Sequence, residues 1–398
     1  MVSIIGVGTG ISMITKEATE RLKEAQMIIG AARVVDSYEE LFEGGNQKVV
    51  REYDVSKIKE IIEDHKAEKI VVFVSGDTGF YSLADSLRKE LDDHELEYEI
   101  IPGISSVNSF FAKLKMSWQD ATLLSVHGRN RNFVDAVRRN QKTFLLTGNN
   151  IPEIAEALEE AGFGNLVVYV GSNLDTKEEC ITKTVVSALR SQTFSALTVL
   201  LILHDEADDA VPSGIPDEEF IRGQVPMTKA EVRANIISKL GLKPNDVCYD
   251  IGAGTGSVTV EMALAAWKGS VIAIEKNQEG IELIKQNLRK FHIGNTKVLC
   301  GEATEILKKQ ELPIPDVAFI GGSDGHLEEI LSLLLQKNEN IRIVVSAIAL
   351  ETLQKATESF KAFGRTVDIT QISVAKNKDV AGLNLMMANN PVYLIKGI

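Results

Sequence analysis

Residues 247–263, VCYDIGAGTGSVTVEMA, carry the strongest chemical signal in the chain. The apolar run Val247-Cys248-Tyr249 ends at Asp250, and glycines follow at alternate positions, Gly252, Gly254 and Gly256. Apolar periodicity resumes at Val258. The pattern predicts a strand, a glycine turn and a helix. Glycine exposes backbone that a Cβ would shield, and a helix start offers free N–H groups and the positive end of a dipole. Such a turn suits an anion or a nucleotide-like ligand. It is not a dinucleotide fingerprint, because the last position of G-x-G-x-x-G is Ser257 and the third glycine falls one residue early. A second apolar run, SVIAIE (270–275), ends at Glu275, where a carboxylate can meet ribose hydroxyls.

Alternating strand and helix patterns position these groups. After residue 240 the chain alternates regularly, with TKVLCGEATEIL (296–307), PDVAFIGGSDGHLEEILSLLL (315–335) and RIVVSAIALETLQKATESF (342–360). VDITQISVAK (367–376) and PVYLIKG (391–397) read as a closing strand pair. The scheme predicts a parallel sheet with a closing antiparallel strand. Asp250, Glu275, Glu302 and Gly322 then fall together at strand ends, where such sheets bind ligands. The first half is also α/β. Apolar runs at 2–7, 27–30, 69–74, 98–101, 142–149, 165–172 and 195–204 are separated by helical patterns, with Thr15 a candidate N-cap. Between the halves, DEADDAVPSGIPDEEF (205–220) is acidic, proline-bearing and aperiodic, which sets a boundary near residue 208. The expected domains are 1–207 and 212–398. Thr228 is the N-cap candidate for the helix that follows.

At 398 residues there is chain enough for two cores. A net charge of −13 and a pI near 5.1 argue against general nucleic-acid or membrane affinity. Cys180, Cys248 and Cys300 lack metal-ligand spacing and suit a reducing compartment. No apolar run approaches membrane-spanning length, and the start of the chain reads directly as a strand. The expectation is a cytoplasmic enzyme without a resident metal.

The alternation G-x-G-x-G behind an acid resembles the S-adenosylmethionine turn of class I methyltransferases. The wider C-terminal half resembles the decarboxylating precorrin methyltransferases of cobalamin synthesis, through IPDEEF (215–220), PMTKAEVR (226–233), DIGAGTGSVTVE (250–261), GEATEIL (301–307), FIGGSDGHLEEIL (319–331) and NPVYLI (390–395). The N-terminal half is similar to tetrapyrrole methylases of the C5-methylating kind, through GVGTG (6–10), GAARVVD (30–36), SGDTGFYS (75–82), IPGISSVNSFFAKL (101–114) and SVHGRN (125–130). The order of the halves matches the fused precorrin C5,15-methyltransferases. The resemblance implies a two-lobed tetrapyrrole-methylase domain followed by a Rossmann-like class I domain. It implies one S-adenosylmethionine site in each half and a homo-oligomer. For the C-terminal site it implies Thr228, Gly252, Ala253, Gly254, Thr255, Gly256, Glu275, Glu302 and Ala303. For the N-terminal site it implies Gly8, Gly10, Ser75, Asp77, Phe80, Ser105, Ser106, Thr147, Ala196 and Leu197. There are departures: Thr9 and Ile11 stand where the first turn usually has Pro and Asp, Thr78 where Pro is common, and Ala31-Ala32-Arg33 where related chains carry an acid.

Transfer of a methyl group from a sulfonium is an in-line displacement, and a meso carbon of a reduced tetrapyrrole is already electron-rich. Alignment and exclusion of water are the main requirements. No Ser/His/Asp array is expected, and no residue declares itself for decarboxylation of an acetate arm. A substrate with many carboxylates needs local cations or hydrogen-bond donors on this acidic protein. The candidates are Arg33, His127, Arg129, Lys229, Arg233, Ser323 and His326. Asp77 and Ser105 have a second reading as turn and cap residues. Two other functions compete. One is a methyltransferase acting on RNA or protein, against which the acidic charge speaks. The other is a cofactor-sensing or scaffold protein with an inactive N-terminal half, which Thr9, Thr78 and Ala31 would suit.

Overall fold

The computed structural model describes residues 1–42, 44–127 and 132–398. Contacts divide the chain into two compact units. One comprises Met1–Arg129, Gln141–Glu153 and Leu166–Asp205, the other Asn130–Asn140, Ile154–Asn165 and Glu206–Ile398.

The first unit holds two five-stranded sheets. One contains β1 (Val2–Gly6), β2 (Met27–Gly30), β3 (Lys48–Arg51), β4 (Ile70–Val74) and β5 (Tyr98–Ile101), all parallel, in the order β3-β2-β4-β1-β5. Its central strands are apolar apart from Ser3 because both faces are covered. Ile4, Ile29 and Val72 face one core, and Ile5, Ile28 and Phe73 the other. The second sheet contains β6 (Thr122–Ser125), β7 (Lys142–Leu146), β8 (Val167–Ser172), β9 (Cys180–Val185) and β10 (Thr198–Leu203), in the order β6-β7-β10-β8-β9. Only β6 and β7 run parallel. Helix Ser106–Leu114 joins the lobes: Val107, Phe110 and Phe111 share a core with Phe144 of β7 and Val199 and Leu201 of β10.

The second unit is built on β11 (Val247–Ile251), β12 (Ser270–Glu275), β13 (Thr296–Cys300), β14 (Val317–Ile320), β15 (Arg342–Ala347), β16 (Val367–Ile372) and β19 (Val392–Gly397). Their order is β13-β12-β11-β14-β15-β19-β16. The first five are parallel, and β19 is antiparallel to β15 and β16. The glycine turn leaves β11 where the strand order reverses direction, between β11 and β14. That crevice is where such sheets bind ligands. Both expected α/β folds are present, and β16 and β19 form the expected closing pair.

Five strands carry no sequence signal strong enough to predict them. β3 and β6 are short edge strands, and β9 is an edge strand with most of its residues exposed. The hairpin of β17 (Ala375–Val380) and β18 (Leu383–Ala388) pairs only with itself and is exposed along its whole length. Thr15 caps its helix as expected, accepting from the Ala18 N–H at 3.2 Å. Among the described residues no helix is long and apolar enough to cross a membrane. No cluster of three or more His, Cys, Asp or Glu among them is arranged to hold a metal ion.

In the first sheet the ends of β1, β4 and β5 approach so closely that side chains cannot fit between them. A Cβ on Gly103 would strike the carbonyl oxygens of both Gly6 and Gly76. Gly103→Ala is therefore expected to destabilise the protein by about 1–3 kcal/mol, because only backbone can give way. Urea unfolding, read as a lowered midpoint at unchanged slope, checks this.

Candidate active sites

At the C-terminal site Gly252, Gly254 and Gly256 all have positive φ, at 71°, 58° and 78°. This is the left-handed region that glycine enters without penalty. Gly252 also lies against the second turn, since its Cβ would fall 2.7 Å from the Gly322 nitrogen. The two turns are thereby locked together over the ends of β11 and β14. Helix Ser257–Ala265 begins directly from Gly256. Glu275 closes the other side: its Oε2 accepts from the Gly254 N–H at 2.8 Å, and its Oε1 from the Lys276 and Asn277 N–H groups at 2.9 and 2.8 Å. Glu275 thus shapes the turn. Ala253 donates its N–H to the Ile274 carbonyl at 3.1 Å. Glu302 and Ala303 start helix Ala303–Lys309, and the half-exposed Glu302 carboxylate lies 3.5 Å from Lys276 Nζ. Lys276 also pairs with Asp324 at 2.6 Å, linking the β12 and β14 turns.

A strap, residues 214–229, crosses the glycine turn. A Cβ on Gly254 would come to 3.0 Å from the Pro226 carbonyl oxygen. Several side chains hold the strap. Glu261 accepts from the Gly214 and Ile215 N–H groups, both at 2.9 Å. Asn287 is fully buried, accepts from the Ile221 N–H at 2.8 Å and donates to the carbonyls of Ile221 and Thr255 at 3.0 and 2.9 Å. Glu279 accepts from the Gln224 N–H at 2.7 Å.

Arg233 requires a correction. Its side chain is 0% exposed, so it cannot meet substrate. Its guanidinium donates to Glu261 at 2.5 Å, to the Thr228 carbonyl at 2.6 Å and to the Ile215 carbonyl, and it stacks on Phe220 at 4.5 Å. Thr228 does not cap the helix. The cap position is Lys229, and the Ala230 N–H is satisfied by Asp217 at 2.9 Å. Lys229 is half-exposed, 3.6 Å from Asp217. Ser323 precedes the helix Leu327–Lys337, and its carbonyl accepts from the His326 N–H at 2.8 Å. The His326 ring is exposed, 3.6 Å from Glu329.

In the first unit, glycine turns also converge. Gly8 and Gly76 exchange backbone hydrogen bonds at 3.0 Å, which brings the turns after β1 and β4 side by side. Gly8 and Gly10, Ser75 and Asp77, and Ser105 and Ser106 follow the C-terminal ends of β1, β4 and β5. The bland readings of two polar residues hold. Asp77 Oδ1 accepts from the Gly79 and Phe80 N–H groups at 2.5 and 3.1 Å, and Ser105 caps its helix, accepting from the Asn108 N–H at 3.2 Å. The Phe80 ring packs on Tyr81 and Phe144. Thr147 is buried and its hydroxyl is spent on the Thr198 carbonyl at 2.6 Å, so that hydroxyl is turned inward. Ala196 and Leu197 are exposed in the approach to β10. Arg33 is exposed at the start of helix Ala32–Ser37. His127 is exposed, with its ring against Gly148. Arg129 lies outside the described residues.

Residues 219–396 match the family described as "Precorrin methyltransferase domain", and residues 1–190 match "Tetrapyrrole (Corrin/Porphyrin) Methylases". A relative from Sulfurisphaera tokodaii, named a probable cobalt-precorrin-6B C(15)-methyltransferase (decarboxylating), is 42% identical across 46% of this chain and 96% of its own length. The chain belongs to the precorrin methyltransferase family. A relative of the same name from Methanocaldococcus jannaschii is 40% identical across 46% of this chain and 97% of its own. The solved structure of precorrin-6y C5,15-methyltransferase from Geobacter metallireducens GS-15 is 38% identical, covering 46% of this chain and 95% of its own, with a TM-score of 0.44.

This precorrin methyltransferase has a C-terminal turn that fits the family's methyl donor, S-adenosylmethionine. Three glycines take the positive φ that the turn requires. Two polar atoms beside them, Asp250 Oδ1 and Thr255 Oγ1, are buried without a hydrogen-bond partner, which in a native fold signals a ligand or ordered water. Asn287, which helps to hold the strap, carries no signal in the sequence, and Arg233 reads there as a candidate substrate contact. Their meaning depends on partners about 20 to 70 residues away, and no local pattern reports that.

Asp250 is fully buried, and burial pushes its carboxyl up to about 7, with the Glu275 charge adding and the Thr259 hydrogen bond at 2.5 Å opposing. The folded chain therefore keeps a proton that the unfolded chain releases near pH 4. Stability from this group is present at low pH and is lost as pH rises from about 4 to about 7. Urea unfolding across that window should show the wild type losing stability relative to Asp250→Asn, by an amount on the order of a few kcal/mol. Parallel curves would refute the assignment.

Proposed function

We propose that this chain is a bifunctional S-adenosylmethionine-dependent methyltransferase of cobalamin biosynthesis. It methylates C5 and C15 of a precorrin or cobalt-precorrin macrocycle and decarboxylates the C12 acetate arm. Residues 1–207 form the C5-methylating domain and residues 212–398 the C15-methylating, decarboxylating domain, each with its own methyl-donor site. The observation that carries the reading is the 42% identity with a decarboxylating C15-methyltransferase along 96% of that relative, in the half whose glycine turn lies at the switch point of the sheet. The match of residues 1–190 to tetrapyrrole methylases supports the first activity.

When bound, the methyl donor presents a sulfonium carbon to the electron-rich meso carbon. The protein's work is alignment, which is worth about 7–11 kcal/mol when the reacting atoms are well oriented. The glycine turn and Glu275 hold the donor, Thr228 lies on the strap above it, and the IGGS turn with His326 faces the macrocycle. Lys229 and His326, both solvent-accessible, meet substrate carboxylates in this half, and Arg33 and His127 do so in the other. Loss of the acetate carboxyl sends its electron pair into the conjugated ring and releases carbon dioxide.

The full chain, incubated with precorrin-6B or its cobalt form and isotopically labelled methyl donor, should yield a doubly methylated, decarboxylated product by mass spectrometry. Gly254→Val places side-chain atoms where φ is 58° and Pro226 lies close. It should slow C15 methylation and decarboxylation on the order of a hundredfold, the scale of a small misplacement, while C5 methylation continues. C15 methylation with the acetate arm retained would refute the reading.

The same reading includes a homo-oligomer. Val380, Leu383, Leu385 and Met387 lie on one face of the exposed hairpin, and all four are 43–66% exposed. Both outer edges of this hairpin are unpaired among the described strands, a template that accepts another strand. A second copy offers the same strands and the same face, on which Lys376 and Lys378 stand beside the apolar side chains. Light scattering should find an assembly for the wild type and a monomer for Leu385→Asp; a monomeric wild type would refute it.

A further inference from the structure

Thr9 stands where the first turn of the resembling methylases carries proline, and its hydroxyl has a specific partner. It donates to Oδ2 of Asp175, in the loop between β8 and β9. Ser109 donates to the same oxygen at 2.5 Å, and Lys113 lies 2.9 Å from Oδ1. Lys113 also pairs with Glu179 at 2.8 Å, and Glu179 accepts the Asp175 N–H at 2.6 Å. The Asp175 side chain is 1% exposed. Its backbone sits at φ 61°, and its carbonyl lies so close to Gly10 that a Cβ there would collide with it. One buried carboxylate thus ties three segments together: the glycine turn after β1, the helix after β5, and the β8–β9 loop of the other sheet.

Burial raises the Asp175 carboxyl. The hydrogen bonds from Ser109, Thr9 and Lys113, with the Lys113 charge, outweigh burial and hold it below the usual range. The carboxylate is therefore ionised, and its charge helps to push the nearby Tyr38 phenol up to about 12, after burial itself. Tyr38 in turn donates to the Gly8 carbonyl at 3.1 Å. Both ends of the Gly8-Thr9-Gly10 turn are held by this arrangement.

We propose that Asp175 is a positioning residue for the first methyl transfer, fixing the Gly8–Gly10 turn against the second lobe in the shape that binds the methyl donor. The claim rests on the reading that residues 1–207 carry a donor site. Geometry makes the donor's affinity the sensitive quantity. Asp175 acts through Thr9 and Gly10 and is itself sealed from solvent.

The test uses the full chain, whose C15 reaction is an internal control for enzyme amount and donor quality. For Asp175→Ala the KM for S-adenosylmethionine in C5 methylation should rise about tenfold, equivalent to about 1.4 kcal/mol, with kcat changed by less than about threefold. The C15 reaction should be unaffected. Thr9→Val should shift the same KM in the same direction, and Thr9→Ser, which keeps the hydroxyl, should behave as wild type. Equal loss in both reactions, an unchanged C5 KM, or a fall confined to kcat would each overturn the proposal. A wild-type chain without C5 methylation would instead overturn the functional reading on which it rests.

Discussion

The buried ion pair between Arg233 and Glu261 is the contact on which the C-terminal site depends. Both side chains are 0% exposed, and burying two charges costs more than their attraction returns unless their remaining hydrogen-bonding groups are satisfied. Here the satisfying partners are the strap itself. Glu261 takes the N–H groups of Gly214 and Ile215, and Arg233 takes the carbonyls of Ile215 and Thr228. The pair converts an acidic, aperiodic linker into a fixed cover. Glu261 lies on the helix that starts from Gly256, so the cover is tied to the element that follows the glycine turn. Losing one partner of such a pair leaves an uncompensated buried charge, typically at a cost of about 3–5 kcal/mol.

The first unit solves the same problem by another route. Its turns approach so closely that glycine is required on several sides, and helix Ser106–Leu114 is shared between the two lobes. Asp175 then plays the part that Glu261 plays in the second unit: a carboxylate that accepts from several donors far apart in sequence. In both units a carboxylate outside the glycine turn holds the segments around that turn.

The cofactor turn was legible because its requirements are local. Positive φ calls for glycine, and a strand entering a helix leaves a pattern within about twenty residues. The expected domain break rests on a change in composition. The edge strands were not, because β9 and the hairpin of β17 and β18 bury too little to alternate. Arg233 was misread for a related reason. A cation beside a lid loop looks available until the fold supplies Glu261, 28 residues on.

By itself the sequence determined the two α/β halves and the place of the glycine turns. Hydrophobic periodicity and backbone sterics act over one or two elements and are written in order along the chain. Only the tertiary structure decided which polar groups are spent and which remain. Thr147 turns its hydroxyl inward, Arg233 is consumed, and Thr9 finds Asp175 166 residues away. A hydrogen-bonding side chain has few valences, and its partners are chosen by packing in three dimensions rather than by proximity in sequence.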